Sequence, residues 1–314
     1  MLMKTGQKIR HIGARVLGFL LLVGMVVVGT ADAAQLEVVT TTQDLAAIAR
    51  AVGGDAVEVR SIARGYWDPH YVEAKPSYMR HLNRADLLIY NGLELEIGWL
   101  PLLIQGSRNR RVMPGSPGSL NASAGLPILE VPVGQVDRSM GDIHPEGNPH
   151  YTLDPRNGKA IAAAIRERLK SLAPQQGQTF DANCDTFQLR LSKRMEVWER
   201  TARSLRGRKI VAFHKQWEYL ADWLGLEIVD YVEVKPGIPP SPRHISRLVV
   251  HIEREKITLL LRANFGDTRA AEKVAERTGI RLLTLPASVD GEETIVSYED
   301  LFEAIVTRIV SGGG

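Results

Sequence analysis

The sequence predicts an α/β protein of two lobes, each a parallel sheet flanked by helices. One long spine helix joins them, and a metal site sits in the interlobe cleft. Three observations carry this reading. Short apolar, β-branched runs alternate with amphipathic stretches about every 10–15 residues, the rhythm of a parallel sheet. That rhythm runs once before residue 174 and restarts after residue 207. Between the two, Phe180, Cys184, Phe187, Leu191, Met195, Trp198 and Leu205 recur at helical spacing. A helix over 175–205 is about 45 Å long at 1.5 Å per residue, longer than one small domain.

The chain has 314 residues, too many for one ordinary core and suited to two. The expected division is a signal peptide over 1–33, an N-terminal lobe over 34–173, a linking helix over 174–206 and a C-terminal lobe over 207–314. Lys4, Lys8, Arg10 and Arg15 precede an uncharged apolar run from Val16 to Val28, and Ala31-Asp32-Ala33 follows. A basic start, a short apolar run and a small-residue cleavage site make a secretory leader. The run is shorter than the roughly 20 residues that span a bilayer. No Cys stands near the cleavage site, so an unanchored periplasmic protein is expected. The four basic residues and Asp32 of the leader account for the whole formal charge of +3. The remainder is near neutral and shows no basic patch with interleaved aromatics, which argues against nucleic acid. Cys184 is the single cysteine, so no internal disulfide forms and its helical setting reads as packing.

Taken in order, Leu36–Thr41 is a strand, Asp44–Val52 a helix stopped by Gly53-Gly54, and Ala56–Ala63 a second strand. Pro76 opens a helix to about Ala85, Asp86–Gly92 is a buried strand, and a helix follows near Gly98–Gln105. Residues 114–149, rich in Gly, Pro and Ser, read as a long surface excursion with one apolar run, Leu126–Val133. A helix resumes from Asp154-Pro155 to Leu172. Beyond the spine come strands at Lys209–Phe213, Leu226–Val232, Ile257–Leu261 and Ile280–Leu285. Helices at Trp217–Leu224, Pro242–Lys256, Thr268–Thr278 and Tyr298–Val310 alternate with them.

Of eight His residues, His70 and His214 directly follow predicted strands, at the end of a parallel sheet where ligands bind. His150 lies in a turn before a helix. Three neutral imidazoles from three segments make a first shell for a borderline divalent metal such as zinc. His81, His244 and His251 sit in helical patterns among charges and are expected to face solvent. His144, with Asp142, lies in a polar loop and is either a ligand or a turn residue. Asp290, after the last strand, is the expected fourth ligand, and its alternative is an Asp-Gly turn. Enzyme signals are poor: no His-Glu-x-x-His helix, no Gly-x-Ser-x-Gly elbow and no phosphate loop. A three-His zinc hydrolase stays open as an alternative, with Glu73 or Asp290 as base. A binding protein for a metal chelate is another.

The residues also resemble a family, the zinc/manganese-type substrate-binding proteins of bacterial ABC importers. Asp68-Pro69-His70 with Glu73 and Pro76 looks like that family's first ligand loop. Ala85–Gly92 through Leu95-Glu96 and Trp99-Leu100 is similar to its following strand and helix. Asn148-Pro149-His150-Tyr151-Thr152-Leu153-Asp154-Pro155 resembles the second ligand segment, and Phe213-His214-Lys215-Gln216-Trp217 the third. The resemblance implies two lobes joined by a rigid helix, a buried metal cargo, delivery to a membrane permease, and no catalytic cofactor. A monomer is expected. His214 leans toward zinc, since manganese-type members often carry Glu there. Two departures stand out. The usual Asp-Ser-Leu-like ligand turn reads Ala287-Ser288-Val289 here, with Asp290 displaced beyond it. Arg262 falls where some relatives carry an acid, and a cation there opposes metal binding. The His-rich loop of many zinc-specific members is absent from 114–149.

Overall fold

Two four-stranded parallel sheets with the same strand order form the frame. The computed structural model describes residues 35–134, 144–235 and 237–313. The expected leader and Asp142 lie outside them. The first sheet orders its strands β2-β1-β3-β4, from β1 (Leu36–Thr40), β2 (Val57–Ser61), β3 (Leu87–Tyr90) and β4 (Ser119–Asn121). The second orders them β6-β5-β7-β8, from β5 (Lys209–Ala212), β6 (Glu227–Tyr231), β7 (Leu259–Ala263) and β8 (Arg281–Leu285). Each sheet reverses its winding once, between β1 and β3 and between β5 and β7. Loops diverge at such a switch point and leave a crevice beyond the strand ends.

Helices α1 (Gln43–Gly53), α2 (Pro76–Arg84), α3 (Leu100–Ser107) and α4 (Pro155–Leu172) serve the first sheet. Helices α6 (Glu218–Leu224), α7 (Pro242–Glu255), α8 (Arg269–Thr278) and α9 (Tyr298–Gly313) serve the second. Their ends follow local chemistry. Asp154 caps α4 by accepting from the Arg156 N–H, and Ser241 caps α7 by accepting from the His244 N–H. Pro155 and Pro242 sit in the first turns, where the missing N–H costs nothing.

The linking helix α5 (Gly177–Thr201) has 25 residues, about 37 Å of α-helix. It is shorter than expected because 3-10 turns at Pro174–Gln176 and Ala202–Leu205 replace its ends. Phe180, Cys184, Phe187, Leu191 and Trp198 are buried along one stripe. Burying each large apolar side chain contributes about 2–3 kcal/mol. Trp198 meets Phe302 of α9 at 5.7 Å and Trp223 of α6 at 6.2 Å between ring centroids. One continuous core therefore runs from Val38 in the first sheet through α5 to Leu259 in the second.

The two halves also meet through polar groups. The buried Asp44 carboxylate accepts from Thr152 Oγ1 (2.9 Å), Ser288 Oγ (2.7 Å) and the Val289 N–H (2.8 Å). Gly65 packs so tightly on Val289 and Asp290 that a Cβ there would stand 1.9 Å from the Val289 carbonyl oxygen. The chain can pass there only because residue 65 has no side chain.

Two sequence expectations need correction here. The excursion over 114–149 contains β4, which pairs with β3 through Leu88↔Ser119 to Tyr90↔Asn121. His244 does not face solvent: it is 6% exposed, and its Nε2 meets the Tyr231 carbonyl at 2.8 Å. It lies on the same α7 face as Leu248, one turn on. His81 is exposed as expected, and His251 is half-buried against Asp230 at 2.8 Å.

Candidate metal centre

Three histidines from three segments converge beyond the strand ends. One ligand nitrogen from each of His70, His150 and His214 lies within 4.8 Å of the other two. Their ring centroids are 5.3 Å (His70–His150), 5.8 Å (His70–His214) and 5.7 Å (His150–His214) apart.

Two of the rings, those of His70 and His214, are aimed by a carboxylate, and the His150 backbone is fixed by Asn148. Asp68 Oδ1 accepts from the His70 backbone N–H at 3.0 Å and lies 2.7 Å from ring Nδ1. The indole N–H of buried Trp99 donates to the Pro69 carbonyl at 3.0 Å and pins the loop. His214 follows β5 by two residues, and its Nδ1 lies 2.7 Å from Glu233 Oε2. Glu233 follows the neighbouring strand β6, and its N–H donates to the Phe213 carbonyl at 2.9 Å. A carboxylate holding Nδ1–H fixes the tautomer, so Nε2 of His70 and of His214 offers a lone pair. Burial pushes the Asp68 carboxyl up, but its bonds to His70 and the nearby charge outweigh burial and hold it below the ordinary range.

His150 is 8% exposed. Burial, followed by the neighbouring His70, His214 and His144 rings, holds its pKa well below the ordinary value. It is therefore neutral at pH 7, as a ligand must be. Its N–H donates to Asn148 Oδ1 at 2.9 Å. Asn148 Nδ2 donates in turn to Glu130 Oε2 (3.1 Å), the Lys215 carbonyl (3.1 Å) and Glu218 Oε2 (3.2 Å). This one amide ties the His150 segment to the His214 segment. From the other side, Asn91 Nδ2 donates to the Pro149 carbonyl at 2.8 Å.

The trio opens into a cavity of about 350 Å³ also bounded by Phe213, Pro239, Pro240, Arg262 and Phe265. Arg262 is 8% exposed, and its guanidinium donates to the Phe265 carbonyl at 3.0 Å. The expected cation thus lines the histidine cavity, and burial lowers its pKa.

Asp290, expected as the fourth ligand, is not in this cluster. Its carboxylate accepts from Gln43 Nε2 at 3.2 Å and lies 4.0 Å from the Arg64 guanidinium. The left-handed backbone at Asp290 (φ 62°) and its N–H bond to the Ile295 carbonyl are those of a turn residue. Glu73 is also remote: it is exposed and pairs with Lys75 at 3.4 Å. His144 is close, with its Nε2 3.2 Å from His70 Nε2. Sequence reasoning missed the aiming roles of Asp68, Glu233 and Asn148. The signal for Asp68 was its spacing of two residues from His70.

A family model described as "Zinc-uptake complex component A periplasmic" matches residues 38–312. The chain belongs to this family. Members are substrate-binding proteins of ABC importers rather than enzymes, which removes the hydrolase alternative. Among curated relatives, the chain is 25% identical over 287 residues to the manganese ABC transporter substrate-binding lipoprotein PsaA of Streptococcus pneumoniae, covering 88% of this chain and 89% of that one. It is 22% identical over 250 residues to the zinc-binding lipoprotein AdcA of Streptococcus pneumoniae, covering 79% and 49%. A crystal structure of ZnuA shares the fold at a TM-score of 0.74 and 22% identity, covering 89% of this chain and all of that one. Like other family members, the protein places two parallel sheets about a linking helix. Among its described residues no helix is long and apolar enough to cross a membrane.

Proposed function

We propose that this protein captures a divalent transition metal outside the cytoplasm and delivers it to the permease of an ABC importer. His70, His150 and His214 hold the ion. The observation that carries the reading is the convergence of three imidazoles, two of them aimed by carboxylates, within 4.8 Å in a cavity. Nitrogen donors suit zinc better than manganese, which prefers oxygen ligands. Zinc is therefore the first cargo and manganese the second. The lobes over 34–173 and 207–314 enclose it, with 174–206 as the connection, and the protein works as a monomer. The leader over 1–33 would export it to the periplasm. The named relatives are lipoproteins, so the expectation of a form without a lipid anchor finds no support in them.

Isothermal calorimetry on the demetallated protein tests the reading. One zinc per chain should bind, with manganese weaker, and binding should be lost when all three histidines are changed to Ala. No binding of either ion by the unaltered chain would sink it. Cargo binding that survives the triple substitution would point instead to a chelate.

A further inference from the structure

We infer that His144 is the fourth metal donor, which makes the centre an all-nitrogen site and selects zinc over manganese. This deepens the function proposed above and rests on it. The carboxylates near the trio are committed elsewhere. Asp68 and Glu233 face the Nδ1 atoms of His70 and His214 at 2.7 Å. Asp44 accepts from Thr152, Ser288 and Val289, Asp290 accepts from Gln43, and Asp267, which lines the cavity, pairs with Arg269 at 2.6 Å. Among the described residues no carboxylate joins the three-histidine cluster.

His144 comes close to it. Its Nε2 stands 3.2 Å from His70 Nε2, with ring centroids 5.3 Å apart. Two imidazole nitrogens bound to one tetrahedral zinc at 2.0–2.1 Å are about 3.3–3.4 Å apart. The pair already has the spacing of two ligands sharing an ion. Asp68 holds the proton on His70 Nδ1, so the His70 lone pair points at His144. In the metal-free protein His144 Nε2–H donates to that lone pair, and an ion entering between them takes both nitrogens once His144 carries its proton on Nδ1.

The backbone holds His144 where this requires. The Gly147 N–H donates to the His144 carbonyl at 3.1 Å, closing a tight turn, and the Asn148 N–H donates to the Leu129 carbonyl at 2.9 Å. Gly147 has φ 107°, and a Cβ there would meet Ile128 at 2.4 Å. The segment from His144 to His150 thus brings both rings to one hollow beside the cavity, which His214 and Lys215 also line. His144 is not among the three nitrogens that mutually converge, so the ion draws it the last step inward. Four imidazoles favour zinc, nickel or copper over manganese.

The test uses the whole demetallated chain and its His144→Ala and His214→Ala variants. Zinc-edge X-ray absorption counts imidazole donors, and competition with a chelator of known affinity gives Kd for zinc and for manganese. The expected result is four imidazoles in the unaltered protein and three plus an oxygen in His144→Ala. Zinc should weaken about 10- to 100-fold and manganese less than about threefold. An unchanged shell and zinc Kd in His144→Ala, with His214→Ala impaired, would overturn the assignment of His144 alone. If the unaltered chain takes up no zinc, or His214→Ala binds as well as it does, the capture function itself fails. A His144→Gln variant with native circular dichroism separates loss of a donor from loss of the turn.

Discussion

Asn148→Asp probes the tie between the second and third histidine segments. The change keeps the shape and the Oδ1 that accepts from His150. It replaces an amide donor, 3.1–3.2 Å from two carboxylates and a carbonyl, with a carboxylate oxygen. The Glu218 carboxyl is already pushed up by burial and by the Glu130 charge. Two unit charges at that distance repel by about 5 kcal/mol at an effective dielectric of 20. Protonation limits the cost, because raising the new carboxyl from about 3.9 past pH 7 takes about 4 kcal/mol. The ceiling at neutral pH is therefore about 4 kcal/mol, set by proton uptake rather than by repulsion. The new group has a folded pKa above its unfolded one, so the folded state gains protons. The penalty is small below about pH 4 and grows as pH rises toward 7. Asn148→Ala differs: it strands the His150 N–H and costs about 2–4 kcal/mol with little pH dependence. Urea unfolding of the demetallated proteins at about pH 4.5 and about pH 7 decides between them. The Asp variant should be the more stable of the two at the lower pH and the less stable at the higher. A loss in Asn148→Asp that stays constant with pH would refute the reasoning.

Two further outcomes follow from the same geometry. Glu233→Gln keeps an acceptor for His214 Nδ1 but removes its charge, so zinc Kd should rise about tenfold. Chelator competition reads it, and an unchanged Kd would show that the Glu233 charge does not strengthen the His214 donor. Burial raises the Glu96 carboxyl to about 7, although the N–H groups of Asn91 and Gly92 donate to it at 2.7 and 3.1 Å. Its folded pKa lies above the unfolded value of about 4.5, so the stability it contributes is complete below that pH and lost as pH rises through 7. The span is up to about 3 kcal/mol. Thermal midpoints across that range should fall for the unaltered chain relative to Glu96→Gln, and parallel curves would contradict the assignment.

The regular elements were legible because burial imposes their periods. In β7 and β8 the apolar runs stand out, and in α5 the spacing of Phe180, Cys184, Phe187 and Leu191 marks the stripe that faces the core. Strand β4 was not legible, since three residues with one Leu carry almost no period, and pairing with β3 makes it a strand. His244 was legible in principle, since Leu248 one turn on belongs to the buried face. The convergence of His70, His150 and His214 was legible because each follows a strand or a turn. Glu233 needed the register of the second sheet, because β5 and β6 must lie side by side before the residues beyond their ends can meet. Asp290 stands apart from the trio because proximity in sequence to the last strand does not fix direction, and its backbone turns the carboxylate toward Gln43.

The buried guanidinium of Arg262 gives the centre a fixed polarity. Asp68 and Glu233 stand behind the ligands with one negative charge each, and Arg262 answers with one positive charge that no accessible pH removes. Asp267 also lines the cavity, and Arg269 matches its charge at 2.6 Å. With neutral imidazoles the cavity is then one unit negative before an ion enters, and a divalent ion leaves it one unit positive. The same pocket that attracts a dication therefore opposes a second cation once the first is seated.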